Sequence, residues 1–232
     1  MPSGRTQKRS RHSAFDVGLT RGEEAYRKIR CSILRGDYAP AESLSEYVLA
    51  AQLRLSRTPV REALTRLEQN GMVHTVTGRG TFVSQLTPHD VMEIYEVREQ
   101  LESYAARVAA ERMDTANIGE LERVIERMHE GAAAGYANET FETDINLHKC
   151  ILQATQNDRL IAILATLDDQ MHRIRSMWPR TPRWLDGTLA EHESIVECIK
   201  KHDPLEAETA MRKHLRFSCQ HAIRFLMPMR TD

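Results

Sequence analysis

Long apolar runs are missing from these 232 residues. No stretch approaches the ~18 residues that a membrane-spanning helix needs, so no span is expected. The first residues are polar and basic with no apolar core, so no secretory leader is expected there either. Cysteine is scarce: four residues, Cys31, Cys150, Cys198 and Cys219, with no CxxC pair among them. That scatter argues against a disulfide framework and for reduced thiols in a cytosolic protein. No Gly-rich phosphate loop, no Ser/His/Asp order, no internal repeat and no low-complexity segment is present. Net charge is nearly absent as well, at −1.

What is there is a 41% hydrophobic composition, enough for a sizeable core in one or two domains. The small net charge conceals an asymmetry. Residues 1–85 carry 14 Lys and Arg against 8 Asp and Glu, while the remainder carries 18 against 25. A basic first part and an acidic second part suit a DNA-binding head on a body that avoids DNA.

The organising stretch is SEYVLAAQLRLSRTPVREALTRLEQNGMVHTVTGRGTFVS, from Ser45 to Ser84. Its pattern predicts a short helix to Leu53, a three-residue turn, a second helix from Arg57 to Asn70 stopped by Gly71, and a hairpin. The hairpin strands are expected at Met72–Val76 and Thr81–Ser84, around Thr77-Gly78-Arg79-Gly80. Helix, turn, helix, hairpin is a winged helix-turn-helix. The second helix opens with Ser56 as a hydroxyl cap, Arg57, Thr58, an initiating Pro59 and Arg61. Free amides there attract phosphate, and the arginines can bond phosphate or guanine O6 and N7. Val60, Ala63, Leu64 and Leu67 repeat at helical spacing and face the small core.

Around this unit, residues 1–19 read as a disordered basic tail and residues 20–85 as the DNA-binding domain, with an amphipathic helix over Thr20–Leu34. Leu86-Thr87-Pro88-His89-Asp90 forms the boundary, with Thr87 as cap, Pro88 at the first helical position and Asp90 as capping partner. Residues 86–228 read as all-helical, with helices near 88–112, 115–134, 138–154, 158–177, 184–202 and 204–226. The expected fold is mainly α: an N-terminal winged helix-turn-helix and a C-terminal antiparallel helical bundle.

Within the bundle, Asp144 and His148 are four residues apart and share a helix face. His192 and His214 lie on the last two helices. One carboxylate and three imidazoles make a shell for a divalent transition metal, although spacing alone does not bring distant helices together. Arg98 sits on an otherwise apolar stripe with Val91, Ile94, Tyr95 and Leu101, where an arginine wants a carboxylate. Its partner is either a neighbour, Glu102 or Asp144, or a bound small acid. Arg173 or Arg175 completes the pocket, and the sequence does not choose between them. The remaining histidines read as surface or satisfied core residues.

LSRTPVREALTRLEQNGMV followed by GRGTFV resembles the DNA-binding domain of GntR-family bacterial transcription regulators. The resemblance implies that Arg57, Thr58 and Arg61 contact DNA and that the wing at Arg79 and Gly80 enters the minor groove. Two positions depart from the family pattern. Pro40-Ala41 replaces Pro-Gly, so that turn is expected not to need a positive φ, and Tyr47 stands where some members place an arginine. The body, through VREQLESYAARVAAER, DxxxH, Gln156-Asn157, EH and AxxxMxxHL, resembles the metal-binding, FCD-type effector domain of the FadR-like branch, in a shorter six-helix form. That resemblance implies that Asp144, His148, His192 and His214 ligate a metal (zinc foremost, nickel or manganese otherwise), and that Arg98 lies at the effector pocket.

The combined reading is a cytoplasmic bacterial repressor-type regulator. It binds palindromic double-stranded operator DNA as a homodimer and answers to a small organic acid at a metal site. The rivals are a metal-dependent enzyme acting on small carboxylic acids, and a DNA binder with a purely structural metal. Against the enzyme, Glu191 and Glu193 flank His192 at positions expected to point away from its face.

Overall fold

The structure, a computed structural model, describes residues 19–134, 137–176 and 182–226. The expected tail therefore lies almost wholly outside the described residues, as do Gly135, Trp178 and Pro179. The chain divides into two compact units, one ending at Ser84 and the other beginning at Gln85. Among the described residues, no helix is long and apolar enough to cross a membrane.

In the first unit, α1 (Arg21–Arg35) starts at Thr20, whose hydroxyl accepts from the Glu23 amide, and ends at Gly36 in the left-handed conformation. α2 (Glu46–Leu53) is capped by Ser45, and α3 (Arg57–Gln69) follows after a turn through Arg54. Ala25, Ile29, Leu49, Val60, Ala63, Leu64 and Leu67 bury together as the small core, as their helical spacing requires. The hairpin strands are β2 (Val73–Val76) and β3 (Gly80–Val83). Gly78 and Gly80 have φ of 76° and 104° at the turn between them, which is where glycine is needed.

Two features of this unit depart from expectation. A two-residue strand, β1 (Ser43–Leu44), pairs antiparallel with β3 through Ser43–Phe82 and Leu44–Thr81, so the sheet order is β1-β3-β2. Ala41 just before it has a φ of 65°, so the Pro40-Ala41 turn does adopt the left-handed conformation without its glycine. The Ala41 amide donates to the Val83 carbonyl at 2.9 Å, and this bond holds the turn against β3 despite the Cβ cost.

The regular elements of the second unit's described residues are all helices: α4 (Pro88–Arg112), α5 (Thr115–Ala133), α6 (Ala137–Gln153), α7 (Asp158–Ala165), α8 (Asp168–Ser176), α9 (Pro182–Lys200) and α10 (Pro204–Leu226). α4 opens with a full capping box. The Asp90 amide donates to Thr87 Oγ1 at 3.1 Å, and the Thr87 amide donates to Asp90 Oδ2 at 2.7 Å. Asp114, Asn157 and Asp203 start α5, α7 and α10 with the forward cap bond alone, each side-chain oxygen accepting from the amide three residues on. The core runs through Ala106, Ala109, Leu121, Met128, Leu147, Ile151, Ile174, Ile195, Ile199, Met211 and Leu215.

The bundle has seven helices among its described residues rather than six. The single helix expected over 158–177 breaks at Thr166-Leu167. There the Thr166 amide and hydroxyl both bond the Ile163 carbonyl, at 3.1 and 2.6 Å, and the Leu167 amide takes the Leu164 carbonyl at 3.0 Å. These i→i−3 bonds tighten the turn and use up the acceptor on which an α-helix would continue.

Candidate metal centre and nucleic-acid interface

Three elements of the bundle converge on one cluster. α6 supplies Asp144 and His148 on one face, α9 supplies His192 and α10 supplies His214. One ligand atom from each lies within 4.8 Å of every other. His192 and His214 are 1% and 2% exposed. The ring centroids of His192 and His214 are 4.4 Å apart, and those of His148 and His214 are 5.3 Å apart. The structure thus brings together four residues of which helical spacing linked only Asp144 and His148.

The orientation of each side chain is set from outside the cluster. Glu102 of α4 lies with Oε2 2.5 Å from His148 Nδ1, and Glu191 of α9 lies with Oε2 3.1 Å from His214 Nδ1. Engaging Nδ1 leaves Nε2 of both rings for the interior. Arg175 of α8 forms an ion pair with Asp144, its Nη2 lying 2.9 Å from Oδ2, while Oδ1 lies 3.2 Å from His192 Nε2 and 3.8 Å from His148 Nε2. Among the described residues, Nε2 of His148 and of His192 are buried without a hydrogen-bond partner, the Asp144 contact to His192 lacking hydrogen-bond alignment. Two orphaned imidazole nitrogens beside a carboxylate oxygen fit a metal ion, because a buried acceptor without a partner is otherwise a cost.

The protonation states agree with that fit. Burial alone would raise the Asp144 carboxyl, but Arg175 and the nearby imidazoles outweigh it and hold it well below the usual carboxylate range. Burial pushes His192 down, with Asp144 only partly opposing. It pushes His214 further, with the other two imidazoles adding to the effect. A charged Asp144 carboxylate and neutral His192 and His214 rings are forms that ligate metal.

Arg98 is buried beside this cluster. It takes the partner that the sequence left open as a neighbour: Nε donates to Glu102 Oε1 at 2.5 Å and Nη2 to Oε2 at 3.2 Å. Among the described residues, Nη1 bonds only the Met171 sulfur, at 3.4 Å, and a thioether is a weak acceptor. A cavity of about 50 Å³ is lined by Arg98, Glu102, His148, Met171 and Arg175. Of the two arginines that the sequence could not separate, Arg175 is the one at this cavity.

Two carboxylates were misjudged from sequence. Glu102 was considered only as a partner for Arg98, yet it holds Arg98 and His148 together; its position, i+4 from Arg98, was the available signal. Glu191 was expected to point away, but it reaches across to His214, and burial pushes its carboxyl up to about 7. Glu193 does turn outward, to His129 at 2.6 Å. His202 likewise bonds the Ala110 carbonyl outside the site, at 2.8 Å.

In the first unit, Arg57, Thr58, Arg61, Arg79 and Gly80 are all exposed. Ser56 occupies the cap position of α3 but makes no side-chain cap bond. Glu46 of α2 takes both arginines: Arg61 donates from Nε and Nη2 at 2.9 Å each, and Arg57 from Nη2 at 3.0 Å. The Arg61 bonds, with Arg57 adding to them against partial burial, lower the Glu46 carboxyl to about 2. The two guanidinium groups are thus held as a pair at the start of α3. Tyr47, which follows Glu46 in the chain, is 74% exposed.

Residues 21–83 match the bacterial regulatory proteins, gntR family, and residues 93–217 match the FCD domain. An HTH-type transcriptional regulator in an unstable DNA locus of Streptomyces ambofaciens is 31% identical over 199 residues, covering 86% of this chain and 84% of its own. The HTH-type transcriptional repressor RspR of Escherichia coli K12 is 26% identical over 194 residues, covering 84% and 85%. Among solved structures, E. coli McbR/YncC superposes with a TM-score of 0.73 over 89% of this chain and 99% of that one. At 18% identity that likeness concerns the fold alone.

Proposed function

Since the chain belongs to the GntR family of bacterial transcription regulators and carries an FCD domain, we propose that a small carboxylic acid, bound at a metal held by Asp144, His148, His192 and His214, controls its affinity for operator DNA. The observation that carries this reading is the cluster itself: four donors within 4.8 Å, with two buried Nε2 atoms lacking a partner among the described residues. Zinc, nickel or manganese suits three imidazoles and one carboxylate. Bound there, the ion would supply Lewis acidity and open positions for an anionic oxygen.

The chain's own residues would do the rest. Arg98 lines the cavity with an Nη1 that, among the described residues, bonds only a sulfur, so it is the proposed partner for the acid's carboxylate. Arg175 fixes Asp144, while Glu102 and Glu191 fix the imidazoles. α4 begins at Pro88, soon after the first unit ends at Ser84. A displacement of α4 on ligand binding would reach the DNA-binding unit through Gln85, Leu86 and Thr87. Arg57, Thr58 and Arg61 would read a half-site in the major groove, with Arg79 and Gly80 at the wing. A homodimer on a palindrome would present two such heads; Val97 and Tyr104, on one face of α4 and 43% and 41% exposed, offer apolar surface for the second copy.

The rival, a metal-dependent enzyme acting on small carboxylic acids, gains a candidate base in Glu191. That carboxylate, however, faces the outer nitrogen of His214 and so serves ligand orientation. The test is a metal analysis of the purified protein, followed by operator titrations with a panel of carboxylic acids, with and without chelator. Metal-dependent modulation of DNA binding is the expected result. Turnover of an acid without any effect on DNA binding would replace this reading with the enzyme.

A further inference from the structure

The three described helices of the first unit all end in the same two-bond turn. After α1, the Gly36 amide donates to the Ile33 carbonyl and the Asp37 amide to that of Ser32, at 3.0 and 2.9 Å. After α3, Gly71 donates to Glu68 and Met72 to Leu67, at 3.0 and 2.9 Å. After α2, Arg54 donates to Ala51 and Leu55 to Ala50, at 3.3 and 3.0 Å. The first residue of each pair is left-handed, with φ of 81°, 66° and 56°. Glycine is the usual residue there, because a Cβ is penalised at that φ. α1 and α3 follow that rule, and α2 ends on an arginine instead. In the bundle, α9 makes the same turn at His202, whose φ is 53°. That side chain has a use within the fold, since Nδ1 bonds the Ala110 carbonyl at 2.8 Å. Arg54 has none: it is exposed, and among the described residues its guanidinium makes no hydrogen bond or ion pair. An unfavoured conformation kept for a side chain without a protein partner points to a partner outside the chain.

We propose that Arg54 is a phosphate-binding residue of the DNA interface, gripping the backbone beside the groove that α3 enters. Arg54 is three residues before Arg57, so their Cα atoms are at most ~11 Å apart. The major groove is about 12 Å wide and edged by phosphates on both sides. With Arg57, Thr58 and Arg61 in the groove, the turn before α3 stands over one of those edges, within the reach of an arginine side chain. The charge fits as well. Glu46 offsets part of the charge of Arg57 and Arg61, whereas no carboxylate of the described residues pairs with Arg54. The macrodipole of α2 is a weaker reason for the arginine, because the turn itself already engages the Ala50 and Ala51 carbonyls. The inference rests on the reading that α3 enters the major groove. It adds a contact that fixes the position of that helix and carries no base preference of its own.

The experiment uses the full-length protein in one metal state, as wild type, Arg54→Gly, Arg54→Lys and Arg57→Ala. Fluorescence anisotropy gives affinity against salt on two duplexes, one selected by the wild type from a randomised pool and one of mixed sequence. A single phosphate contact contributes about 0.9 to the salt slope, so Arg54→Gly should bind both duplexes roughly 5- to 10-fold more weakly near ~0.1 M salt, with the slope lowered by about 1 per protomer. Arg54→Lys keeps the charge and should keep most of the slope. Without DNA, Arg54→Gly should melt at the wild-type temperature or above it, because glycine relieves the left-handed residue. A weaker binder that is no less stable is not what a structural role produces. Unchanged affinity and slope in Arg54→Gly overturn the proposal, as does an Arg54→Lys variant that behaves like Arg54→Gly. A lower melting temperature for Arg54→Gly also overturns it and assigns the arginine to ending α2. Arg57→Ala tells the two failures apart. If it binds the selected duplex as the wild type does, the groove reading fails and this inference with it; if it weakens binding while Arg54→Gly does not, only Arg54 is misassigned.

Discussion

Glu102 Oε2 and His148 Nδ1 lie 2.5 Å apart, and this contact joins α4 to α6 at the edge of the metal cluster. Because the same carboxylate holds Arg98, neither α4 residue can be altered without disturbing a candidate ligand.

That arrangement sets the outcome of Glu102→Gln. The amide would leave the buried Arg98 guanidinium unpaired, and breaking a buried ion pair typically costs about 3–5 kcal/mol. It would also loosen the support of His148, which for a ligand's outer hydrogen bond typically lowers metal affinity about 10–100-fold. Urea unfolding in chelator measures the first effect and zinc competition the second. A variant with wild-type values in both would remove Glu102 from the site. Arg98→Ala should be destabilised for the same reason, so its effector response has to be read at a temperature where it remains folded.

His192→Ala should remove bound metal and, with it, the stabilisation that metal gives the native state. With free zinc at 100 times its dissociation constant, that stabilisation is about 2.7 kcal/mol. The control is His129→Ala, whose ring bonds Glu193 outside the cluster. Equal zinc stoichiometry in the two variants would show that the four residues do not form one site.

Arg57→Ala should lower operator affinity by about 1–3 kcal/mol if Arg57 meets a base edge. Arg79→Ala should weaken binding more evenly across sequences and lower the salt slope by about 1, as loss of a phosphate contact does. Fluorescence anisotropy on operator and scrambled duplexes at several salt concentrations separates the two. Unchanged binding by both variants, with folding intact, would move the DNA contacts elsewhere.

Glu46 gives a pH dependence of definite sign. Its folded pKa is depressed to about 2 by Arg61 and Arg57, so its contribution is present above the ordinary glutamate range and is lost as pH falls toward 2. Thermal melts should show Glu46→Gln slightly less stable than the wild type at pH 7. The gap should close on acidification and narrow in high salt, because the arginine side chains are 61% and 63% exposed. A gap that widens at low pH would contradict the assignment.

Ala41→Gly should stabilise the first unit. A residue with a Cβ at φ 65° carries a penalty that glycine avoids. Glycine's greater backbone entropy in the unfolded chain offsets part of the gain and leaves roughly 0.5 kcal/mol. Chemical denaturation of both proteins measures the difference; a less stable variant would mean that the alanine methyl makes a compensating contact.

What could be read in the sequence was mostly local. Thr87, Pro88 and Asp90 announced the start of α4 because a capping box closes within four residues. Asp144 and His148 announced a shared face because helical spacing alone fixes it. The convergence of α6, α9 and α10 was not legible, since periodicity says nothing about which helices pack together, and only the family resemblance pointed to it. Glu102 and Glu191 were missed as supports for the imidazoles because their targets lie on other helices. The break at Thr166 carries neither glycine nor proline, and a hydroxyl bonding back to Ile163 is a weak signal in a chain with many threonines. β1 is two residues long, too short for any alternation to show, and the positive φ of Ala41 is imposed by the β3 edge that it bonds.

The Thr166-Leu167 break also governs how firmly the bundle holds its own backbone. α8 is nine residues long, below the length at which a helix is stable on its own, so its amides are protected only by what its side chains grip. Those grips include Met171 on Arg98 and Arg175 on Asp144. Amide hydrogens of α8 should therefore exchange faster than those in the middle of α4 or α10, by local opening that leaves the long helices intact. Occupation of the site should slow them selectively, making α8 the segment in which deuterium uptake reports binding before any change at the DNA.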